Sequence, residues 1–173
     1  MDRDQFLTLV IENKKLIFKV CRAYCRDAED REDLAQEIII QLWRSSARYD
    51  DRQKLSTWIY RIALNVAISA HRREIRRSKT AGEVRDVCLS FSDHQWNEQE
   101  SDHDIQLLSQ FIDDLSELNK ALMLLYLDDR GYAEIATILG ISQTNVATKI
   151  SRIKVALRQK FESVKKEPNR GIG

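Results

Sequence analysis

Six side chains near the carboxyl end, Gln143, Thr144, Asn145, Thr148, Lys149 and Arg152, are of kinds that bond base edges and phosphates. An amide can bond adenine in a bidentate way, and Arg or Lys can bond guanine O6 and N7 or a phosphate oxygen. At about 100° per residue, Asn145, Thr148, Lys149 and Arg152 gather on one side of a helix. Gln143 and Thr144 project from its amino end. Val146, Ile150, Ile153 and Leu157 fall within about 60° of one another on a different side, the stripe such a helix buries. Lys154, Arg158 and Lys160 extend the cationic character toward phosphate contacts.

A second constellation lies over 56–77. Trp58, Arg61, Asn65, Ser69, Arg72 and Arg76 share about 80° of a helical surface, with Arg73 and Arg77 nearby. Ile59, Ile62, Val66 and Ala70 form the expected core side. Arginines interleaved with an aromatic suit a single nucleic-acid strand, because cations track the backbone and a ring stacks on an unpaired base. The plainer alternative makes Trp58 and Tyr60 core aromatics and the arginines a solvated face.

Bond-making chemistry has no comparable signal. The sequence shows no Ser/His/Asp order, phosphate loop or metal spacing, so neither an enzyme, a cofactor, a bound metal nor a small-molecule substrate is expected. Cys21 and Cys25 lie one helical turn apart, but no nearby histidine completes a four-ligand zinc set. Buried free cysteines are the expectation.

The elements that must hold the first constellation form a helix-turn-helix over 132–154. A short first helix buries Ile135, Ala136 and Leu139, with Ala136 small enough to let its partner approach. Gly140 stands where the chain turns sharply and φ > 0 is favoured. Ile141 fills the angle, and Ser142 caps the second helix. In this motif the second helix enters the major groove. An ordinary helical hairpin with a polar face is the bland alternative.

The second constellation needs a long helix from an N-cap at Ser56 to about Arg77. It is preceded by a polar loop, 45–55, and by an amphipathic helix over 33–44. There Leu34, Ile38, Leu42 and Ile39 make one stripe, and Asp30, Glu32 and Asp33 suit the positive end of the dipole. Residues 105–115 and 118–126 give two further helical periods before a stop at 128–131.

The net charge of +1 conceals blocks. Residues 1–80 hold 17 Lys/Arg and 12 Asp/Glu, residues 81–129 hold 2 and 12, and residues 130–173 hold 9 and 3. Two cationic segments that attract phosphates flank an acidic middle. Five glycines and one proline, in 173 residues, leave too little turn chemistry for an all-β fold. The expected class is therefore all-α: two small helical domains, 1–77 and 105–161, a flexible acidic linker over 78–104 and a frayed tail over 162–173. No apolar run reaches membrane-span length. Three cysteines and a start without the order of a signal peptide point to the cytoplasm.

Together these segments resemble the bacterial RNA polymerase sigma factors of the extracytoplasmic-function group. The resemblance rests on Asp33-Leu-Ala-Gln-Glu-Ile-Ile-Ile-Gln-Leu-Trp-Arg44, on Ser56-Thr-Trp-Ile-Tyr-Arg-Ile-Ala-Leu-Asn-Val-Ala67 followed by His71-Arg72-Arg73, and on the helix-turn-helix. It implies a non-enzymatic transcription initiation factor that binds core RNA polymerase and promoter DNA and is held in check by an anti-sigma factor. By that resemblance Asp33, Gln36, Glu37 and Trp43 dock on the clamp helices of the polymerase's largest subunit. Tyr49 and Lys54 line a loop that captures a flipped base of the minus-ten element, supported by Trp58, Arg61 and Asn65. Arg72, Arg73 and Arg76 hold phosphates upstream. The helix-turn-helix reads the minus-thirty-five element, and the acidic linker suits the RNA-exit path.

Two departures stand out. The loop 47–55 lacks a glycine common among relatives, and position 64 is Leu where many carry a basic residue. A stand-alone helix-turn-helix regulator is the competing class. Such proteins usually need a dimerisation or ligand domain, which the N-terminal half does not resemble.

Overall fold

The computed structural model describes residues 2–25, 27–81 and 103–166. Among them the chain forms eight α-helices, one short 3-10 turn and no strand. They fall into two compact units, one around the N-terminal helices and one around the C-terminal helices, so the all-helical, two-domain class is observed. Residues 82–102, the body of the expected linker with Cys88 and His94, lie outside the described residues, as does the tail from 167.

In the N-terminal unit, α1 (Arg3–Glu12) starts on a reciprocal cap. Asp2 Oδ1 accepts the Gln5 N–H at 2.8 Å, and Gln5 Oε1 accepts the Asp2 N–H at 3.0 Å. Two otherwise orphaned donors are satisfied this way. Asn13 turns the chain into α2 (Lys14–Tyr24), whose Ile17, Val20, Cys21, Ala23 and Tyr24 are buried. Burial pushes the Cys21 thiol up to about 12 and, more moderately, the Cys25 thiol to about 11. Desolvation opposes the thiolate. Cys21 is thus the buried free thiol the sequence predicts, and Cys25 is a half-buried one.

Helix α3 (Ala28–Ser45) begins five residues before the predicted 33–44, on Asp27, with Glu29 and Asp30 in its first turn. Glu32 and Asp33 therefore lie a turn further in than expected. Its buried stripe is Leu34, Ala35, Ile38 and Leu42. A 3-10 turn, Ser46–Arg48, leads to a loop and then to α4 (Leu55–Ala81). The first bond of α4 runs from the Trp58 N–H to the Lys54 carbonyl at 3.2 Å. Ser56 therefore sits inside the first turn rather than at the cap, and the helix outruns Arg77.

The core side of α4 also differs from the prediction. Ile59, Ala63, Ala67 and His71 recur every fourth residue and are buried, together with Tyr60 and Leu64, while Ile62, Val66 and Ala70 are only half-buried. The buried stripe is turned by roughly a quarter of the helix from the expected one. Two alanines explain it: they let α4 approach α2 and α3 closely, and close packing outweighs the larger area of a β-branched side chain.

In the C-terminal unit, α5 (His103–Asp113) and α6 (Glu117–Leu127) precede the helix-turn-helix. Every residue of α6 from Lys120 to Leu125 is buried, so this helix is enclosed on all sides. Lys120 is fully buried, and its Nζ lies 3.5 Å from Oδ1 of Asp113. Separating such a pair would strand a charge in the core. Helix α6 ends with Asp129 at φ 54; the Asp129 N–H donates to the Tyr126 carbonyl and the Arg130 N–H to the Leu125 carbonyl. That closes the orphaned carbonyls of the last turn. The tail expected from 162 is helical to Lys166, because α8 (Gln143–Lys166) carries on past it. Phe161 on α8 packs edge-on to Phe111 with ring centroids 5.1 Å apart. Among the described residues no helix is long and apolar enough to cross a membrane.

Candidate nucleic-acid interface

The turn before α8 is built as its sequence requires. Helix α7 (Tyr132–Leu139) ends at Gly140 with φ 68. The Ile141 N–H returns to the Ala136 carbonyl at 3.2 Å, and Ser142 Oγ accepts the Asn145 N–H at 3.1 Å. Ahead of α7, Arg130 bridges Asp128 at 3.2 Å and Glu134 at 3.1 Å. Burial works against the guanidinium charge, but these bonds outweigh it and hold the pKa above its ordinary value. The bracket fixes the entry to the motif. On α7 the buried residues are Ile135 and Ile138, whereas Ala136 and Leu139, expected in the core, are half-buried.

All four residues of the predicted α8 stripe, Val146, Ile150, Ile153 and Leu157, are buried. That sets the register of the whole helix. Gln143, Thr144, Asn145, Thr148 and Arg152 are exposed, and Lys149 is half-buried. Amides, hydroxyls and two cations therefore occupy the accessible surface of one rigid helix. The Thr148 hydroxyl donates to the Thr144 carbonyl at 2.9 Å, which fixes its rotamer. Two of the cations proposed to extend this surface are tied to their own unit. Lys160 pairs with Asp114 at 3.0 Å, and Lys154 donates to the Tyr126 hydroxyl at 3.2 Å.

On α4 the arrangement is more entangled. Asn65, Ser69, Arg72, Arg73 and Arg76 are exposed and Arg61 is half-buried. Trp58, expected on the same open face, is 5% exposed. Its ring lies 5.0 Å from that of Tyr49, centroid to centroid. The reading of Trp58 as an open stacking ring is therefore corrected: it backs the loop, and the core-aromatic alternative holds for it and for Tyr60. Tyr49 is half-buried, and its hydroxyl donates to the Gln53 carbonyl at 3.1 Å. The Arg52 N–H donates to Asp50 Oδ1 at 3.0 Å, and Lys54 is exposed. The loop is thus folded on itself over a tryptophan floor. Leu64, whose lack of charge is a departure from relatives, is 1% exposed. A basic residue there would have to be desolvated, so its apolar character belongs to packing.

The exposed side of α3 carries Asp33, Gln36 and Glu37, followed by Ile40 and Trp43, the last two about half exposed. An edge-on contact with Phe6, centroids 4.9 Å apart, fixes the Trp43 ring. Ile40 lies within the motif over 33–44 but does not stand out there, hidden in a run of three isoleucines. Its spacing of three from both Glu37 and Trp43 was the available signal. Arg73 Nη2 donates to both carboxylate oxygens of Glu37, at 2.9 and 2.8 Å. Among the described residues no group of three or more His, Cys, Asp or Glu is placed to hold a metal.

Comparison with known proteins covers both units. Residues 9–77 match the family described as sigma-70 region 2, and residues 105–157 match sigma-70, region 4. The ECF RNA polymerase sigma factor SigW of Bacillus subtilis is 28% identical, over 94% of this chain and 92% of its own length. The RNA polymerase sigma-H factor of Pseudomonas aeruginosa is 27% identical, over 96% and 91%. Among solved structures, the sigma factor RpoE in complex with the anti-sigma factor NepR from Bartonella quintana superposes with a TM-score of 0.74 at 18% identity, covering 91% of this chain and 97% of that one. CnrH in complex with the cytosolic domain of CnrY gives 0.65 at 18% identity, over 94% and 90%.

Proposed function

We propose, from the premise that this chain belongs to the sigma-70 family and carries its regions 2 and 4, that it binds core RNA polymerase, recognises the minus-ten and minus-thirty-five promoter elements and promotes DNA melting for transcription initiation. The role is that of a non-enzymatic specificity subunit of the extracytoplasmic-function type, acting in the cytoplasm. The working division is 1–77 for polymerase and the minus-ten element, 78–104 for the acidic linker, and 105–161 for the minus-thirty-five element.

The observation that carries this reading is the register of α8. Its apolar stripe is wholly buried, which leaves Gln143, Thr144, Asn145, Thr148, Lys149 and Arg152 accessible on a helix entered through a helix-turn-helix bend. Such a helix presents its amino end and one side to the major groove of the minus-thirty-five duplex.

The N-terminal unit takes the single-stranded part. A base flipped from the minus-ten element enters beside the loop of Tyr49 and Lys54, with Arg61 and Asn65 at its edge and Trp58 behind it. Unstacking costs a few kcal/mol, which a pre-shaped pocket offsets. Arg72, Arg73 and Arg76 hold the phosphates upstream. Asp33, Gln36, Glu37 and Trp43 dock on the polymerase clamp helices, with acids meeting cations and the half-exposed indole giving apolar contact. RpoE of Bartonella quintana is known in complex with an anti-sigma factor. A protein of that kind, covering the α3 surface, is the proposed inhibitor here.

The test is transcription in vitro. Adding the protein to core polymerase on a genomic template library yields transcripts starting at discrete promoters. Core polymerase that initiates no differently with and without the chain sinks the proposal. Replacing Gln36 and Glu37 together by Ala weakens holoenzyme assembly in a fluorescence titration with core polymerase, and unchanged assembly removes these residues from the docking surface.

A further inference from the structure

We infer that the Glu37–Arg73 ion pair couples the two binding surfaces of the N-terminal unit, so that a bond made by one frees a group on the other. The inference rests on the proposed roles of these two residues and adds a linkage between them.

Glu37 lies on the exposed side of α3 among the proposed polymerase contacts, and Arg73 lies on α4 among the proposed phosphate contacts. In the structure each is engaged by the other: one guanidinium nitrogen reaches both carboxylate oxygens, at 2.9 and 2.8 Å. The helical spacing shows why Arg73 is the member so placed. Asn65, Ser69, Arg72 and Arg76 fall within about 60° on α4, whereas Arg73 is turned on average about 70° away from them. It sits at the margin of the basic face, beside α3.

Neither group can meet an external ion fully while holding its partner. A cation from polymerase on Glu37 competes with Arg73, and a phosphate on Arg73 competes with Glu37. Both side chains are about half exposed, at 55% and 46%. Water and salt therefore screen the pair, and it is weak enough to exchange. A weak pair sets a small coupling, and the coupling is reciprocal: whatever factor polymerase adds to DNA affinity through this pair, DNA adds to polymerase affinity. In the free protein the pair masks one cation of the DNA face. On polymerase that cation is released.

The experiment uses the full chain, free of polymerase, with a fluorescent single-stranded DNA carrying a minus-ten sequence. Glu37→Gln raises its affinity by up to about fivefold, the ceiling that an exposed ion pair sets. It also steepens the salt dependence of binding toward that of one more phosphate contact. In an Arg73→Gln background the same Glu37→Gln change gives no gain. That condition separates the inference from a general effect of removing a negative charge, which would persist without Arg73. A gain that survives in the Arg73→Gln background, or no gain at all, overturns the coupling. The docking role of Glu37 is read separately, from assembly of the Glu37→Gln protein with core polymerase. Weakened assembly without a DNA gain sinks the coupling and leaves the docking surface standing. A DNA gain with undiminished assembly removes polymerase from the linkage and overturns it equally.

Discussion

The two candidate DNA surfaces are both polar faces of long helices, yet they are built in opposite ways. On α8 the polar residues stand clear of the core, and the four apolar residues beneath them are all buried. On α4 the surface is woven into the unit: Trp58 is covered by Tyr49, Tyr49 bonds to Gln53, and Arg73 is held by Glu37. A duplex presents its base edges ready-made in a groove, so a single helix with accessible polar side chains suffices to read it. A single strand must be given a shape, and on the proposed reading the α4 surface gives it one through the internal bonds of its loop and neighbouring helices. One face is organised before contact by its helix alone, the other by the loop and neighbouring helices around it.

That contrast can be broken at several points. The largest effect expected is from Trp58→Ala, which removes a buried ring under the loop and costs about 3–5 kcal/mol of stability, read by urea unfolding. A loss under about 1 kcal/mol would mean that the ring is not a floor, and the contrast would fail on the α4 side. Arg152→Ala weakens binding to minus-thirty-five duplex by about 1–3 kcal/mol and relaxes sequence preference at one position, if it meets a base. Anisotropy titrations with holoenzyme and point-substituted duplexes decide this. A loss that is equal for every sequence makes Arg152 a phosphate contact instead. The same change leaves unfolding within about 0.5 kcal/mol, as befits an exposed side chain.

Gly140→Ala sharpens the comparison from the side of the bend. Nothing lies within 4 Å of the added Cβ, so the cost is the left-handed backbone alone. About 1–2 kcal/mol is expected in thermal unfolding. The smallest effect belongs to Arg72→Ala, which lowers affinity for single-stranded minus-ten DNA about equally across sequences and flattens the salt slope by about one. Strong sequence selectivity in that loss would place Arg72 on a base.

How far these surfaces could be read in advance follows the same division. The α8 stripe, the turn glycine and the Ser142 cap are local features, written within one or two turns of helix, and the structure places each where the sequence put it. The buried stripe of α4 lies about a quarter turn from the one its apolar spacing predicts, because the choice rests with partners far away in the chain. Ala63, Ala67 and His71 carry little apolar area of their own, and their burial depends on how closely α2 and α3 approach. Trp58 was ambiguous for the same reason, since its position is settled by the loop folding over it. Helix α3 starts ahead of its apolar periodicity, which begins only at Leu34, because its first turn carries the acidic Glu29 and Asp30, suited to the helix dipole, rather than large apolar residues. Lys120 carried no signal at all. A lysine within an apolar run reads as a solvated side chain until a carboxylate such as Asp113 is found beside it.

That enclosed α6 limits how the C-terminal unit can be dissected. Cut back to the two helices of the helix-turn-helix, the fragment would lose Leu122, Leu124 and Leu125, against which the rest of the unit closes, and would open its interior to water. The smallest piece able to stand alone must therefore begin no later than the helix bearing Asp113, so that the ammonium group inside keeps its counterion.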